Sequence, residues 1–159
     1  MLFRSPVDIQ LSNSSIPENS PSNSAVGSLT TTDPNVGDTF TYSLVSGSGD
    51  NDNASFNIAG NTLRATNSFD FETKASYKIR VRSTDQGGLF TEKTFTITVT
   101  DVNEAPTDIN LTPASIPENA GPNATVGTLS TVDPDAGNSL DRKSTRLNSS
   151  HEWISRMPS

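Results

Sequence analysis

The chain repeats itself at an offset of 100 residues. Pro6-Val7-Asp8-Ile9 returns as Pro106-Thr107-Asp108-Ile109, and the stretch from Ser15 to Asn19 is identical to the stretch from Ser115 to Asn119. From Pro6 to Phe40, 17 of 35 positions match their partners without a gap, which predicts a true tandem repeat. A period this long exceeds that of solenoid units. It indicates a whole domain repeated in series.

The end of the repeat predicts where native sequence stops. Repeat 1 continues past Phe40 with a strand pattern, whereas repeat 2 changes composition after Leu140. The segment Asp141–Ser159 holds four of the eleven Lys/Arg residues and the only His and Trp. It resembles a sequencing adapter translated in one frame. We predict a disordered, non-native tail there and exclude it from functional argument.

Composition favours a secreted binding module over an enzyme. Without the tail the chain has 7 Lys/Arg and 16 Asp/Glu, a net charge of 7 − 16 = −9. Such a surface repels nucleic acids and anionic lipid and attracts cations. The chain has no cysteine, and the part before Asp141 has no histidine and no Gly-x-Ser-x-Gly motif. We therefore predict no catalytic residues and no nucleic-acid partner.

Short alternating segments predict an all-β fold. In Tyr77–Val81, for example, Tyr77, Ile79 and Val81 alternate with basic residues. Repeat 1 contains seven such segments, separated by Gly, Pro, Asn and Asp, and no convincing helical period. The pattern predicts a seven-stranded Greek-key β-sandwich of immunoglobulin-like type, followed by a truncated second repeat. The predicted strands are 7–11, 25–31, 39–45, 56–58, 62–64, 77–81 and 95–99.

Acidic residues fall at the ends of the predicted strands. Glu18 follows the first strand, Asp70 and Glu72 precede the sixth, and Asp101 and Glu104 follow the seventh. Because strand ends at one pole of a sandwich converge in space, we expect several carboxylates to lie together and repel one another. Lys74 is the one cationic residue close to them in sequence. A divalent cation is therefore the expected neutraliser.

Calcium fits these ligands best. Calcium takes about 6–8 oxygen ligands from carboxylates, amides and backbone carbonyls. Zinc prefers His and Cys, and magnesium demands stricter octahedral geometry. The stretch Asp50–Asn53 is a second acidic cluster; it is either a local calcium site or a polar loop tip, and the loop reading is favoured.

The order of the motifs resembles that of a cadherin repeat, specifically the cadherin-like repeats of bacterial surface proteins. The resemblance covers Pro6 to Leu140. The matching motifs of repeat 1 and its linker are Pro17-Glu18-Asn19, Phe69-Asp70-Phe71-Glu72, Asp85-Gln86-Gly87 and Asp101-Val102-Asn103-Glu104-Ala105-Pro106, with Asp133-Pro134-Asp135 in repeat 2. Departures from the family pattern include Phe69 for Leu and Glu104 for Asp.

The resemblance implies calcium bound between successive repeats, where it would stiffen the junction. The implied ligands are Glu18, Asp70 and Glu72 from repeat 1, Asp101, Asn103, Glu104 and the Val102 carbonyl from the linker, and Asp133 and Asp135 from repeat 2. No linker ligands precede repeat 1. Asp33 and Asn35 are therefore expected to be idle.

The predicted organisation is a residual linker at 1–5, a complete repeat at 6–105, a truncated repeat at 106–140 and the tail at 141–159. The resemblance implies a calcium-dependent adhesion module of an extracellular or membrane-anchored bacterial surface protein, in a family that includes homophilic adhesion proteins. Its partners would be neighbouring repeats of the same chain and a cell-surface protein or glycan. Two alternatives stay open: a calcium-independent spacer and a carbohydrate-binding β-sandwich.

Overall fold

A computed structural model describes residues 4–135 of the chain. The chain divides into two compact units between Val102 and Asn103. The predicted adapter-derived segment, 141–159, lies outside the described residues.

The first unit is a β-sandwich, as predicted. Its sheets have the strand orders β1-β3-β6-β5 and β2-β8-β7-β4, and a short 3₁₀ turn lies at Asn53–Ser55. This partition matches that of a constant-type immunoglobulin sandwich, with β2 as an addition. The strands are β1 (Asp8–Leu11), β2 (Ser15–Pro17), β3 (Ala25–Thr32), β4 (Phe40–Leu44), β5 (Phe56–Ala59), β6 (Thr62–Ala65), β7 (Ser76–Asp85) and β8 (Phe90–Thr100).

Alternation along the strands produces the core. In β7, Ile79 and Val81 are fully buried while Arg80 between them is partly exposed, because successive side chains point to opposite faces of a sheet. The same period buries Ile97 and Val99 in β8. The buried apolar cluster between the sheets comprises Ile9, Ile16, Val26, Leu29, Phe56, Leu63, Ala65, Phe69, Ile79, Val81, Ile97 and Val99.

The chain crosses between the two sheets through the segment that joins β1 to β2. Asn13 holds this crossover: its side-chain N–H groups donate to the carbonyls of Ser15 and Val26 at 2.7 and 2.8 Å. Gly27 packs on the crossover so closely that a Cβ would lie 2.5 Å from the Asn13 carbonyl oxygen. This contact gives a steric reason for glycine at this position.

The strand β2 was not among the seven predicted strands. It has three residues, ends in Pro17 and pairs in parallel with β8, from Ser15 opposite Thr98 to Pro17 opposite Thr100. So short a segment lacks a readable alternation, and its pairing depends on the crossover at Asn13. It places Glu18, the next residue, at the C-terminal end of β8.

The second unit contains β9 (Asp108–Thr112) and β10 (Thr128–Val132), which form a two-stranded antiparallel sheet. Ile109 lies opposite Thr131, as Ile9 lies opposite Thr31 in the first unit. The 100-residue sequence offset is therefore also a repeat of strand register. Among the residues described, no helix is long and apolar enough to cross a membrane.

Candidate metal centre

Glu18 is a buried carboxylate that joins three segments of the first unit. Its backbone N–H donates to the Thr100 carbonyl at 3.0 Å, which continues the pairing of β2 with β8. Its Oε2 accepts a hydrogen bond from the Phe71 N–H and its Oε1 accepts one from the Val102 N–H, both at 2.8 Å. Only 3% of the residue is exposed. Two backbone donors thus hold one negative charge inside the protein.

Two further carboxylates lie beside Glu18. Glu72 and Asp101 each place a carboxylate oxygen so that, with one from Glu18, all lie within 4.8 Å of one another. We call these three residues the Glu18 cluster. Two such charges about 4 Å apart repel by ~1 kcal/mol in water and by ~4 kcal/mol at an effective dielectric near 20. A cation bound among them would convert this repulsion into attraction.

Lys74, the cation nearest in sequence, is engaged elsewhere. It pairs with Asp52, and its ammonium nitrogen lies 4.5 Å from the centre of the Tyr77 ring. Among residues 4–135, Glu18 forms no ion pair, and its two oxygens accept hydrogen bonds from backbone N–H groups. The donor set of the Glu18 cluster consists of oxygen atoms alone, which is the set that calcium prefers. The residues present fit calcium.

Asp70, a predicted ligand, faces its own loop. One carboxylate oxygen accepts from the Thr73 N–H at 2.9 Å and the other from the Thr73 hydroxyl at 2.8 Å. These two hydrogen bonds hold the pKa of Asp70 below its ordinary value. Both oxygens stabilise the turn, and Asp70 is not a member of the Glu18 cluster. Its role as a ligand stays a prediction.

The predicted ligands of the second unit form a chain of hydrogen bonds. The Glu104 N–H donates to Asp135 Oδ2 at 2.7 Å, and the Asp135 N–H donates to Asp133 Oδ1 at 3.1 Å. Asn103 donates from its side chain to the Glu104 carbonyl at 3.1 Å. The linker residues after Val102 are thus tied to the loop that follows β10.

A second group of carboxylates was not predicted as a site. Asp33 follows β3, Asp38 precedes β4 and Asp85 ends β7; one oxygen from each lies within 4.8 Å of the others. We call this group the Asp85 cluster. The Asp85 cluster lies at the C-terminal end of β7. The Glu18 cluster lies near the opposite end of this strand, where Ser76 pairs with Thr98. The first unit therefore carries an acidic cluster at each pole.

The stretch Asp50–Asn53 behaves as a structured loop. Asp50 accepts from the Gly47 N–H at 3.0 Å, and Asp52 accepts from the Lys78 N–H at 2.8 Å. Asn53 donates to the Val45 carbonyl at 2.9 Å. These contacts favour the polar loop over a local calcium site.

Comparison with known proteins identifies the family to which this chain belongs. A cadherin-domain family model matches residues 12–100. Human protocadherin gamma-A11 is 38% identical over 77 residues, which is 47% of this chain and 8% of that protein. Human protocadherin-23 is 34% identical over 140 residues, which is 83% of this chain and 4% of that protein. The chain thus spans less than a tenth of the length of these relatives.

Solved structures agree with the sequence comparison. The protocadherin gammaB7 EC3-6 cis-dimer structure superposes with a TM-score of 0.62 at 28% identity, over 84% of this chain and 32% of that chain. The fold is a β-sandwich like that of these structures, and the family match covers more than half of the sequence. The chain belongs to the cadherin family, which confirms the resemblance seen in its motifs.

Proposed function

We propose that this chain is a calcium-binding repeat of a larger extracellular adhesion protein, and that calcium stiffens the junction between successive repeats. The observation that carries the proposal is the Glu18 cluster: three carboxylates from three separated segments, brought within 4.8 Å of one another. Like charges at this distance repel one another, so a bound cation would stabilise their arrangement.

The proposed ligands begin with Glu18, Glu72 and Asp101. Glu18 is the anchor, because its orientation is set by the amides of Phe71 and Val102. The cadherin motifs extend the proposed set to Asp70, the Val102 carbonyl, Asn103, Glu104, Asp133 and Asp135. Calcium bound there would supply positive charge shared by residues before and after the Val102–Asn103 boundary. Its effect would be to limit bending of the linker.

The wider role comes from the relatives. Solved relatives are described as extracellular cadherin domains, and one is described as a cis-dimer. We propose an extracellular location for this chain, with neighbouring repeats of the same protein as its first partners and a cell-surface protein or glycan as its adhesion target. A bacterial source and homophilic adhesion both stay predictions.

A carbohydrate-binding platform receives less support. Such a platform needs aromatic faces open to solvent. Tyr42, Phe71, Tyr77 and Phe95 instead pack against the core, as the sequence predicted. Phe90 is 48% exposed, but Arg82 lies over its ring at 4.0 Å.

A calcium titration of the 159-residue chain tests the proposal. Extracellular modules bind calcium with dissociation constants of about 10⁻⁴–10⁻³ M, so 10 mM calcium should stabilise the first unit by ~1.4–2.7 kcal/mol. Thermal unfolding with and without EGTA measures this gain. Glu72→Gln should remove most of the gain, whereas Glu118→Gln, at an exposed position of the second unit, should keep it. A melting temperature that is unaffected by calcium would support the calcium-independent spacer.

The stiffening of the junction needs a separate measurement. The chain has no cysteine, so paired spin labels can be attached at Thr96→Cys and Asn110→Cys, one on each side of the linker. Calcium should narrow the distribution of distances between the labels. If calcium stabilises the first unit but leaves this distribution unchanged, the binding role stands and the stiffening role is rejected.

A further inference from the structure

The second unit exposes apolar side chains whose counterparts in repeat 1 are buried. Ile109 and Leu129 are 60% and 57% exposed, whereas Ile9 and Leu29, at the same positions of repeat 1, are 0% and 1% exposed. Two further members of the repeat 1 core have exposed counterparts in the second unit, Ile116 and Val126. The same residue types are therefore core in one repeat and surface in the other.

The strand register places the exposed residues of the second unit on one face. Leu111 lies opposite Leu129, and Ile109 lies opposite Thr131. Because paired residues point to the same side of a sheet and side chains alternate along a strand, these four side chains share one face. We call these four residues the repeat 2 face. In repeat 1 the same register turns this face of β1 and β3 toward the core.

The repeat 2 face also holds a hydroxyl group that has lost its partners. Thr131 Oγ1 is buried and, among the residues described, forms no hydrogen bond. At the same position of repeat 1, the Thr31 hydroxyl is hydrogen-bonded to the hydroxyls of Tyr42 and Ser83 at 2.9 and 2.6 Å. Both partners belong to the opposite sheet, in β4 and β7. A buried hydroxyl without a partner is costly, because it has lost water and gained nothing in exchange.

The strands that cover this face in repeat 1 have no counterpart in the 159-residue chain. At the 100-residue offset, β7 and β8 would recur at 176–185 and 190–200, beyond Ser159. The stretch Ser115–Pro117 has the sequence of β2 but lies outside any strand, in accordance with the missing counterpart of its partner β8. The apolar side chains and the Thr131 hydroxyl thus lack the same thing, a facing sheet.

The remaining sequence of the chain offers no such sheet. The segment 136–159 contains no alternating apolar run of the kind that predicts a strand. The first unit already uses β4 to β8 to cover its own core. A second copy of the chain, by contrast, presents three apolar side chains and a hydroxyl in the same arrangement. The repeat 2 face itself carries no charge, so no like charges meet within such a contact.

We propose that the repeat 2 face is a self-association surface on which a second copy of this chain packs its own repeat 2 face. The contact is isologous, with the two copies related by a twofold axis. The two small sheets stack about 10 Å apart, as facing sheets do, so their apolar side chains cover one another. Thr131 of each copy then finds a hydroxyl partner across the axis. The surface contains no carboxylate and is separate from the proposed calcium ligands.

Sedimentation equilibrium of the 159-residue chain in EGTA tests the proposal without any contribution from calcium. The average mass should rise toward that of two chains between about 10 μM and about 1 mM, the range expected of a small interface. Leu129→Lys should raise the dissociation constant by about tenfold or more, because it would bury a charge in the contact. Val132→Lys is the matched control. Val132 is 51% exposed and pairs with Asp108 on the other face of the same hairpin, so its replacement should leave the association unchanged.

Cross-linking provides a second measurement that does not disturb the apolar residues. The chain has no cysteine, so a bis-maleimide reacting with a single introduced cysteine can join only two copies. Thr131→Cys should give a cross-linked dimer, whereas Ser130→Cys, on the opposite face of β10, should give far less.

Two outcomes would overturn self-association through this face. The first is a mass of one chain at all concentrations up to about 1 mM, which would mean that the face is covered within the same chain or stays open. The second is an equal response of the paired variants, either Val132→Lys dissociating the dimer as strongly as Leu129→Lys or Ser130→Cys cross-linking as well as Thr131→Cys. Neither outcome would bear on the proposed calcium site.

Discussion

Glu18 Oε1 accepts a hydrogen bond from the Val102 N–H at 2.8 Å, across 84 positions of sequence. The contact joins the residue after β2 to the second residue after β8, so it links an early segment of the first unit to its C-terminal end. The hydrogen bond also orients the carboxylate. Glu18 therefore has a structural role in addition to its proposed role as a ligand.

We expect Glu18→Ala to destabilise the first unit even in EGTA. The substitution leaves the N–H groups of Phe71 and Val102 without the charged acceptor of their hydrogen bonds, at a cost of about 1–3 kcal/mol in the free energy of unfolding. Chemical denaturation in EGTA measures the loss. Glu118→Ala, at the exposed repeat position, should change stability by less than about 0.5 kcal/mol. Equal stability of the wild type and Glu18→Ala would contradict the structural role.

Gly27→Ala should be destabilising because the crossover leaves no room for a side chain. The new Cβ would lie 2.5 Å from the Asn13 carbonyl oxygen and 2.9 Å from its nitrogen, and backbone atoms cannot move aside cheaply. We expect a loss of about 1–3 kcal/mol, typical of overpacking. Thermal or urea unfolding provides the measurement. Gly60→Asn is the control, since Gly60 has open space and asparagine tolerates its φ of 64°.

Phe69→Leu should weaken the protein although leucine is the residue common in the family motif. The Phe69 ring lies 4.5 Å from the Tyr77 ring and 5.4 Å from the Phe56 ring, measured between centres, and it is 6% exposed. Leucine would lose these ring contacts and part of the buried volume, at about 1–2 kcal/mol. Urea denaturation and the near-ultraviolet signal of Tyr77 report the change. An unchanged unfolding midpoint would mean that the cluster repacks around leucine.

Glu92 should make stability depend on pH in the acid range. Its carboxylate accepts hydrogen bonds from Arg80 and Arg82, at 2.5 and 2.6 Å for their terminal nitrogens, and these guanidinium groups lower its pKa from the ordinary value of 4.5. Because the pKa is lower in the folded state, this contribution is present above about pH 4.5 and is lost as pH falls through the folded pKa. The difference in unfolding free energy between wild type and Glu92→Gln should therefore shrink between pH 6 and pH 3.

A matched glutamate separates this effect from general charge loss. Glu118 forms no ion pair among the residues described, so Glu118→Gln removes one negative charge without breaking a contact with arginine. A Glu92→Gln difference that stays constant with pH would show that the arginine pair does not stabilise the folded state.

Alternation predicted the long strands because side-chain period and burial coincide there. In β7 the apolar residues Ile79 and Val81 are the buried ones, as their spacing indicated. The strand β2 escaped prediction because its three residues, the last of them a proline, carry no period. The crossover that leads into β2 is packed by a tertiary contact, between Gly27 and Asn13. Such contacts have no local signature.

The acidic clusters were likewise predictable from the sequence only in part. Motif order pointed to Glu18, Glu72 and Asp101, which the fold brings together. The orientation of Asp70 toward Thr73 depends on a local turn, and an acid three residues before a threonine was an available clue. Asp38 lies beyond the Asp33-Pro34-Asn35 motif, so the motif gave no reason to expect it beside Asp33 and Asp85.

The parallel pairing of β2 with β8 has a mechanical consequence. β2 lies near the start of the first unit, β8 is its last strand, and the two run in the same direction. Tension applied to the two chain ends would pull the strands lengthwise past each other, so their hydrogen bonds would share the load and break together. In single-molecule stretching, the β2–β8 pairing should therefore be the main barrier to extension. Shortening β8 should lower the force at which the first unit unfolds.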